Sequence, residues 1–168
     1  MSCFVWRFPL AEDFFTNGMS KFAFVRDELL NKKILRQGWG VEDLLLGKPA
    51  YVAAYGGDLT VAEDRFNILS PMLNIAVGDK IVIPKLSVRS GETKHGRYFT
   101  VVTCTKVYGF SFPSTISEKD FGHFIEVNWS TGTYDYSAQP YISKQLKSYR
   151  KAINRVLDPI FTSNVLPL

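Results

Sequence analysis

Residues 78–86 read GDKIVIPKL, and residues 97–110 read RYFTVVTCTKVYGF. Gly78 and Asp79 form a tight-turn pair, and behind them Ile81 and Ile83 alternate with Val82 and Pro84, the period-two pattern of a strand. The second stretch is the longest strand-like run in the chain and sets Phe99, Val101, Thr103, Thr105 and Val107 on one side. Between the two lies the polar sequence RSGETKHG, which predicts a hairpin loop. HFIEVNW, residues 123–129, predicts a further strand, and STGT turns the chain after it. Residues 80–87, 97–108 and 122–129 are therefore predicted as strands of one sheet.

Working outward, CFVWRF at residues 3–8 alternates poorly but is rich in strand formers and predicts a first strand. Residues 20–32 place Phe24, Leu29 and Leu30 among charges at helical spacing. ILRQGWG, residues 34–40, is an extended segment closed by its glycines. VEDLLLGK is a helical turn or two stopped at Gly47, and YVAAYGGD ends in a Gly-Gly loop. A helix is predicted over 60–70, with Thr60 and Glu63 as a capping box and Pro71 kinking or ending it. A last helix is predicted over 143–156, with Ile142, Leu146, Tyr149, Ile153 and Val156 as its buried stripe. This order of elements defines an α+β protein, a strongly bent sheet or small β-barrel with flanking helices. The length of 168 residues suits one domain spanning 1–168.

With 46% hydrophobic residues the chain has enough apolar material for a core. No apolar run approaches the ~18 residues of a membrane span, and the N-terminal sequence MSCFVWRFPLAEDFF lacks the pattern of a signal peptide. Cys3 and Cys104 match no metal spacing and read as small buried hydrophobes of a reduced, cytoplasmic protein. Charge is uneven: residues 1–84 carry a net −1 and residues 85–168 a net +5, which suggests an anionic partner, although mild positive charge is also common in proteins that bind no nucleic acid.

Taken in sequence, a helix, then GDKIVIPKL, then YFTVVTCTKVYGF, then DFGHFIEVNW resembles the PUA-like superfamily, and within it the EVE/YTH-like DNA-reading domains of modification-dependent restriction systems. In that family a GD turn opens a barrel strand. A later strand ends in an aromatic and glycine motif, here Val107-Tyr108-Gly109-Phe110, and a His-containing strand ends in Val-x-Trp, here His123 to Trp129. Gly38-Trp39 fits a GW turn found in some members. The likeness covers roughly residues 1–155, and departs from the family pattern at 111–122 and in the order of Tyr108 and Gly109. It implies a nucleic-acid-binding module, most simply for DNA with a modified base flipped into an aromatic pocket. It also implies service to a restriction or defence system whose motor or nuclease lies elsewhere.

Several residues fit that chemistry. A flipped base is held by stacking on an aromatic face and by hydrogen bonds to its edge. Trp6, Trp39, Tyr108 and Phe110 are the expected pocket, with Arg36 or Gln37 reading an edge or clamping a phosphate and the glycines beside Trp39 clearing room for the nucleotide. Equally, Trp39 plugs the core and the glycines only turn the chain. Arg89, Lys94 and Arg97 surround the hairpin tip, and Lys144, Lys147, Arg150 and Lys151 lie in a tail with no acidic residue between Asp135 and Asp158. These cations are expected to follow phosphates, or else to form a solvated face.

Catalytic signals are thin. No G-x-S-x-G, H-E-x-x-H, C-x-x-C or phosphate-loop motif occurs, and no cofactor or metal is called for. Asp120 and His123 are near enough in sequence to pair, but a pair without a nucleophile is not an active site. Two alternatives therefore stand beside nucleic-acid recognition: a protein-interaction module with its aromatics in the core, and a small-ligand enzyme using His123 and Asp120.

Overall fold

The computed structural model describes residues 2–7, 13–86, 94–135 and 140–158, with side chains left aside at 94–97 and 130–140. It is an α+β arrangement of one six-stranded mixed sheet and, among the described residues, four α-helices. The strands are β1 (Cys3–Trp6), β2 (Ile34–Gln37), β3 (Lys80–Leu86), β4 (Lys94–Phe110), β5 (His123–Asp135) and β6 (Ile153–Val156). The helices are α1 (Lys21–Lys32), α2 (Lys48–Tyr55), α3 (Leu59–Leu69) and α4 (Pro140–Ser148). Spatial order is β2-β5-β4-β3-β1-β6. β1 runs parallel to β3, and every other pairing is antiparallel.

β1 lies between β3 and β6, and its four residues are all buried, which is why CFVW does not alternate in polarity. Phe4 and Trp6 enter the main core with Leu29, Leu35, Ile81 and Ile83. Cys3 and Val5 enter a smaller one with Val82, Phe99, Ile142 and Leu146, where α4 covers the other face. Burial, reinforced by Asp79, pushes the Cys3 thiol up to about 12, so it stays a protonated packing group.

Four register shifts, at Pro84/Leu86 in β3 and at Val101/Thr103, Cys104/Lys106 and Lys106/Gly109 along β4, bend the sheet. The bulge at Lys85, with φ of 60°, also explains why Pro84 is tolerated in β3. The bend is large. On a flat sheet, four spacings of about 4.8 Å would separate β2 from β1, yet Gln37 Nε2 at the end of β2 donates to the Arg7 carbonyl just past β1 at 2.7 Å.

Four local expectations are corrected. STGT does not turn the chain: β5 continues through it to Asp135, with Gly132 and Thr133 paired to Val101 and Thr100 of β4. The cap of α3 is Asp58, whose Oδ1 accepts from Val61 N at 3.0 Å, and Thr60 is already inside the helix. Residues 48–55, read as leading into a loop, form α2, whose first turn takes Pro49 and whose end is the left-handed Gly56. The tail is not one helix: α4 stops at Ser148 and 153–156 become β6. The Arg7 guanidinium takes the exposed C-terminal carbonyls of α4, donating to Leu146 O at 2.6 Å and to Tyr149 O. Asn154 closes the following turn on both backbone groups of Lys151. Pairing with β1 then outweighs the helical periodicity of the sequence.

Candidate functional site

The backbone of Trp39 is in the left-handed region, φ 57°, where a bulky side chain is strained. Its carbonyl is held from two sides. Tyr51 Oη donates to it at 2.8 Å, and His123 Nε2 lies 3.3 Å away. A carbonyl can only accept, so Nε2 carries the proton and Nδ1 is the acceptor for the Tyr108 hydroxyl, 2.9 Å away. That hydroxyl oxygen in turn accepts from Leu44 N at 3.0 Å. Burial holds His123 in this neutral form, its pKa lowered to about 4. Burial likewise raises the Tyr51 and Tyr108 hydroxyls, so both remain donors.

The result is a Trp whose main chain is fixed and which stays 36% exposed as a residue. The Arg65 guanidinium lies 3.9 Å from the ring centroid, in cation–π contact. Gly40 permits this placement for a reason the sequence hides: a Cβ there would sit 2.5 Å from Gly122 N, because the two backbones cross in contact. At Gly38 a Cβ would meet only ordinary contacts at 3.5 Å. The glycine at position 40 thus makes room for the chain itself, not for a nucleotide.

Beside Trp39 a cavity of about 320 Å³ opens at the seam where the bent sheet brings the end of β2 near β1. Arg7, Lys21, Gln37, Asp120 and Arg150 line it together with Trp39. Asp13 also reaches its rim, and Lys21 Nζ bridges Asp13 at 3.2 Å and Asp120 at 3.8 Å. Asp120 Oδ1 accepts from Phe121 N at 2.7 Å, which fixes a turn in which Phe121 is also left-handed, φ 53°. The lining therefore offers two carboxylates as acceptors, three cations and two aromatics, Trp39 and the almost fully buried Phe121. Its size falls at the lower end for a small-molecule or single-base site.

Of the expected pocket residues, Trp39 alone lines this cavity. Trp6 is corrected outright: it is 0% exposed, inside the main core, and can touch no ligand there. Tyr108 is half-buried and acts on Trp39 through His123. Phe110 packs on Phe112, on His123 and over Gly122, across the strand pair from the reciprocal packing of Phe124 on Gly109.

Arg36 does not face a ligand. Its buried Nη1 donates to Ser111 O at 3.0 Å and Phe121 O at 2.9 Å, clasping both ends of the loop between β4 and β5, while Nε faces Glu28 at 3.6 Å. Gln37 reaches the cavity wall but spends its amide on Arg7 O and Gly38 N. Arg150 lines the cavity, and Lys144, Lys147 and Lys151 are exposed on α4 and the turn after it. Arg89 lies outside the described residues, as do the side chains of Lys94 and Arg97.

The suggested Asp120–His123 pair is also corrected. Both imidazole nitrogens are engaged, by Tyr108 and by Trp39, and His123 is 0% exposed. Asp120 serves the Phe121 turn and Lys21 instead. Sequence reading missed Arg7, which meets Gln37 across 30 residues, and Lys21, which reaches Asp120 from a distant part of the chain and draws in its near neighbour Asp13. No local pattern marks them. Among the described residues no group of three or more His, Cys, Asp or Glu is placed to hold a metal ion, and no helix is long and apolar enough to cross a membrane. Compared with protein-family models and with curated protein sequences, the chain matches none.

Proposed function

We propose that this chain is a PUA-like binding domain for nucleic acid, with DNA carrying a modified base as its ligand, and that the base turns out of its stack into the cavity beside Trp39. One observation carries the reading: a partly exposed Trp, preset in a strained backbone conformation, stands at a cavity rimmed by Arg7, Lys21 and Arg150. Strain of this kind persists where surrounding structure enforces it, and it clusters at ligand sites. The ring supplies stacking, Asp13 and Asp120, held in place by Lys21, accept from amino groups on a base edge, and Arg150 balances phosphate. The chain acts as a reader rather than an enzyme, and a restriction or defence nuclease or motor would act on what it binds. A cytoplasmic setting fits its two unpaired, buried thiols.

The test is a titration of the wild type and Trp39→Ala against duplexes that differ only in carrying a methylated, hydroxymethylated or unmodified base. The expected result is a preference for one modified duplex and a loss of about 1–3 kcal/mol on Trp39→Ala, with the variant still folded. Equal, weak binding to all three duplexes that Trp39→Ala leaves unchanged would overturn the reading and favour an interaction module.

A further inference from the structure

Arg150 lines two concavities. One is the cavity beside Trp39. The other is a groove of about 380 Å³ between the end of α3 with the turn after it and the segment from Ser148 to Arg155. Asn67, Pro71, Arg150, Lys151, Asn154 and Arg155 line this groove, and no Asp or Glu does. No carboxylate of the described residues forms an ion pair with Arg150, Lys151 or Arg155, whereas Lys21, Lys32, Arg36 and Lys106 all have one. The cations are carried on fixed backbone. Asn154 Oδ1 accepts from Lys151 N at 3.1 Å, and its Nδ2 donates to Lys151 O at 2.6 Å and to Val5 O at 3.2 Å, tying the turn to β1.

We infer that this groove takes the phosphodiester backbone of a single strand, continuous with the nucleotide in the cavity, with Arg150 at the junction. The inference rests on the nucleic-acid reading above and deepens it: the ligand is an oligonucleotide strand rather than a lone base or nucleotide. Three cations with amide side chains between them match the repeating charge and acceptor oxygens of such a backbone. A volume of about 380 Å³ is the size of one or two nucleotides' backbone rather than of a duplex, and the α3 turn borders it on one side. Lys144 and Lys147 on α4 carry the same charge but lie outside it.

The inference is tested with the full chain, using single-stranded thymidine hexanucleotide and thymidine 5′-monophosphate as probes over a range of salt concentrations. Wild type should bind the hexanucleotide more tightly than the monophosphate. The double variant Lys151→Ala/Arg155→Ala should flatten the hexanucleotide salt slope by about 1.4, two contacts at ~0.7 each, and leave the monophosphate unaffected. Lys144→Ala/Lys147→Ala removes equal charge and should flatten it less. Trp39→Ala should lower affinity with the slope retained. Equal effects of the two double variants, an unchanged slope in the groove variant, or no advantage of hexanucleotide over monophosphate would each overturn the groove. The modified-duplex titration fails or succeeds separately, so the loss of one idea is distinguishable from the loss of the other.

Discussion

Alanine at Gly40 and alanine at Gly38 should move stability in opposite directions. At Gly40 the new Cβ would lie 2.5 Å from Gly122 N and 3.2 Å from both Gly122 Cα and Phe121 N. All three are backbone atoms, so no side-chain rotation relieves the clash, and the chain after β2 must part from the 120–122 turn. Overpacking of this kind costs about 1–3 kcal/mol. At Gly38 the nearest atoms are side-chain atoms of Asp120 and Phe121 at 3.5 Å, and φ is not in the left-handed region. Where the backbone is compatible, Gly→Ala stabilises by about 0.4–1 kcal/mol by restricting the unfolded chain. At this chain length each kcal/mol moves the Tm by roughly 2–4 °C, so the two variants should melt roughly 3–16 °C apart. Differential scanning calorimetry on both variants reads the difference directly. A Gly40→Ala protein that melts at or above the wild type would refute the claim that the crossing of the two backbones positions Trp39.

Three further outcomes are expected. His123 is held neutral with its pKa near 4, against 6.5 when unfolded, so its contribution is complete above about pH 6.5 and is lost as pH falls toward 4. Urea titrations should show a decline on the order of 3 kcal/mol across that window, absent from His123→Gln. Arg36→Ala takes one of two cations from Glu28 and leaves the carbonyls of Ser111 and Phe121 without their donor, so chemical denaturation should show a loss of about 3–5 kcal/mol, only partly recovered when Glu28→Leu is combined with Arg36→Met, because neither change restores a donor to the two carbonyls. Asp58→Ala should cost about 1 kcal/mol in the same assay through loss of the α3 cap, while Thr60→Ala stays within about 0.5 kcal/mol.

β3, β4 and β5 could be read from the chain because alternation and turn residues act locally. Ile81, Ile83 and the Gly78-Asp79 turn say the same thing at every level, and the structure keeps them. β6 could not. Ile142, Leu146 and Tyr149 obey a helical period, and Ile153 and Val156 extend it by coincidence of spacing, being the two buried ends of a four-residue strand. What decides the matter is a partner strand about 150 residues away. Trp6 misled for a related reason: a strand buried on both faces gives no polarity signal to tell an inward aromatic from a pocket wall. At the site, the two glycines did single out Trp39, but Arg36 and Gln37 are consumed by carbonyls of remote loops. The cavity's ions come from segments that meet only when the sheet bends.

The pairing of β1 with β6 has a consequence for how the protein is made. β1 is complete once residue 6 has been synthesised, but its outer edge stays unpaired until residues 153–156 leave the ribosome. At ordinary translation rates of about 5–20 residues per second, that interval lasts on the order of 10–30 s. Throughout it a fully apolar strand containing Phe4 and Trp6 presents free N–H and C=O groups, a template for pairing with another chain. Any product that stops short of Ile153 keeps that edge permanently, and it should associate with itself even where β3, β4 and β5 have already folded. Nascent chains of this protein are therefore expected to depend on chaperones that recognise the Cys3–Trp6 segment, up to the moment Ile153–Val156 arrives.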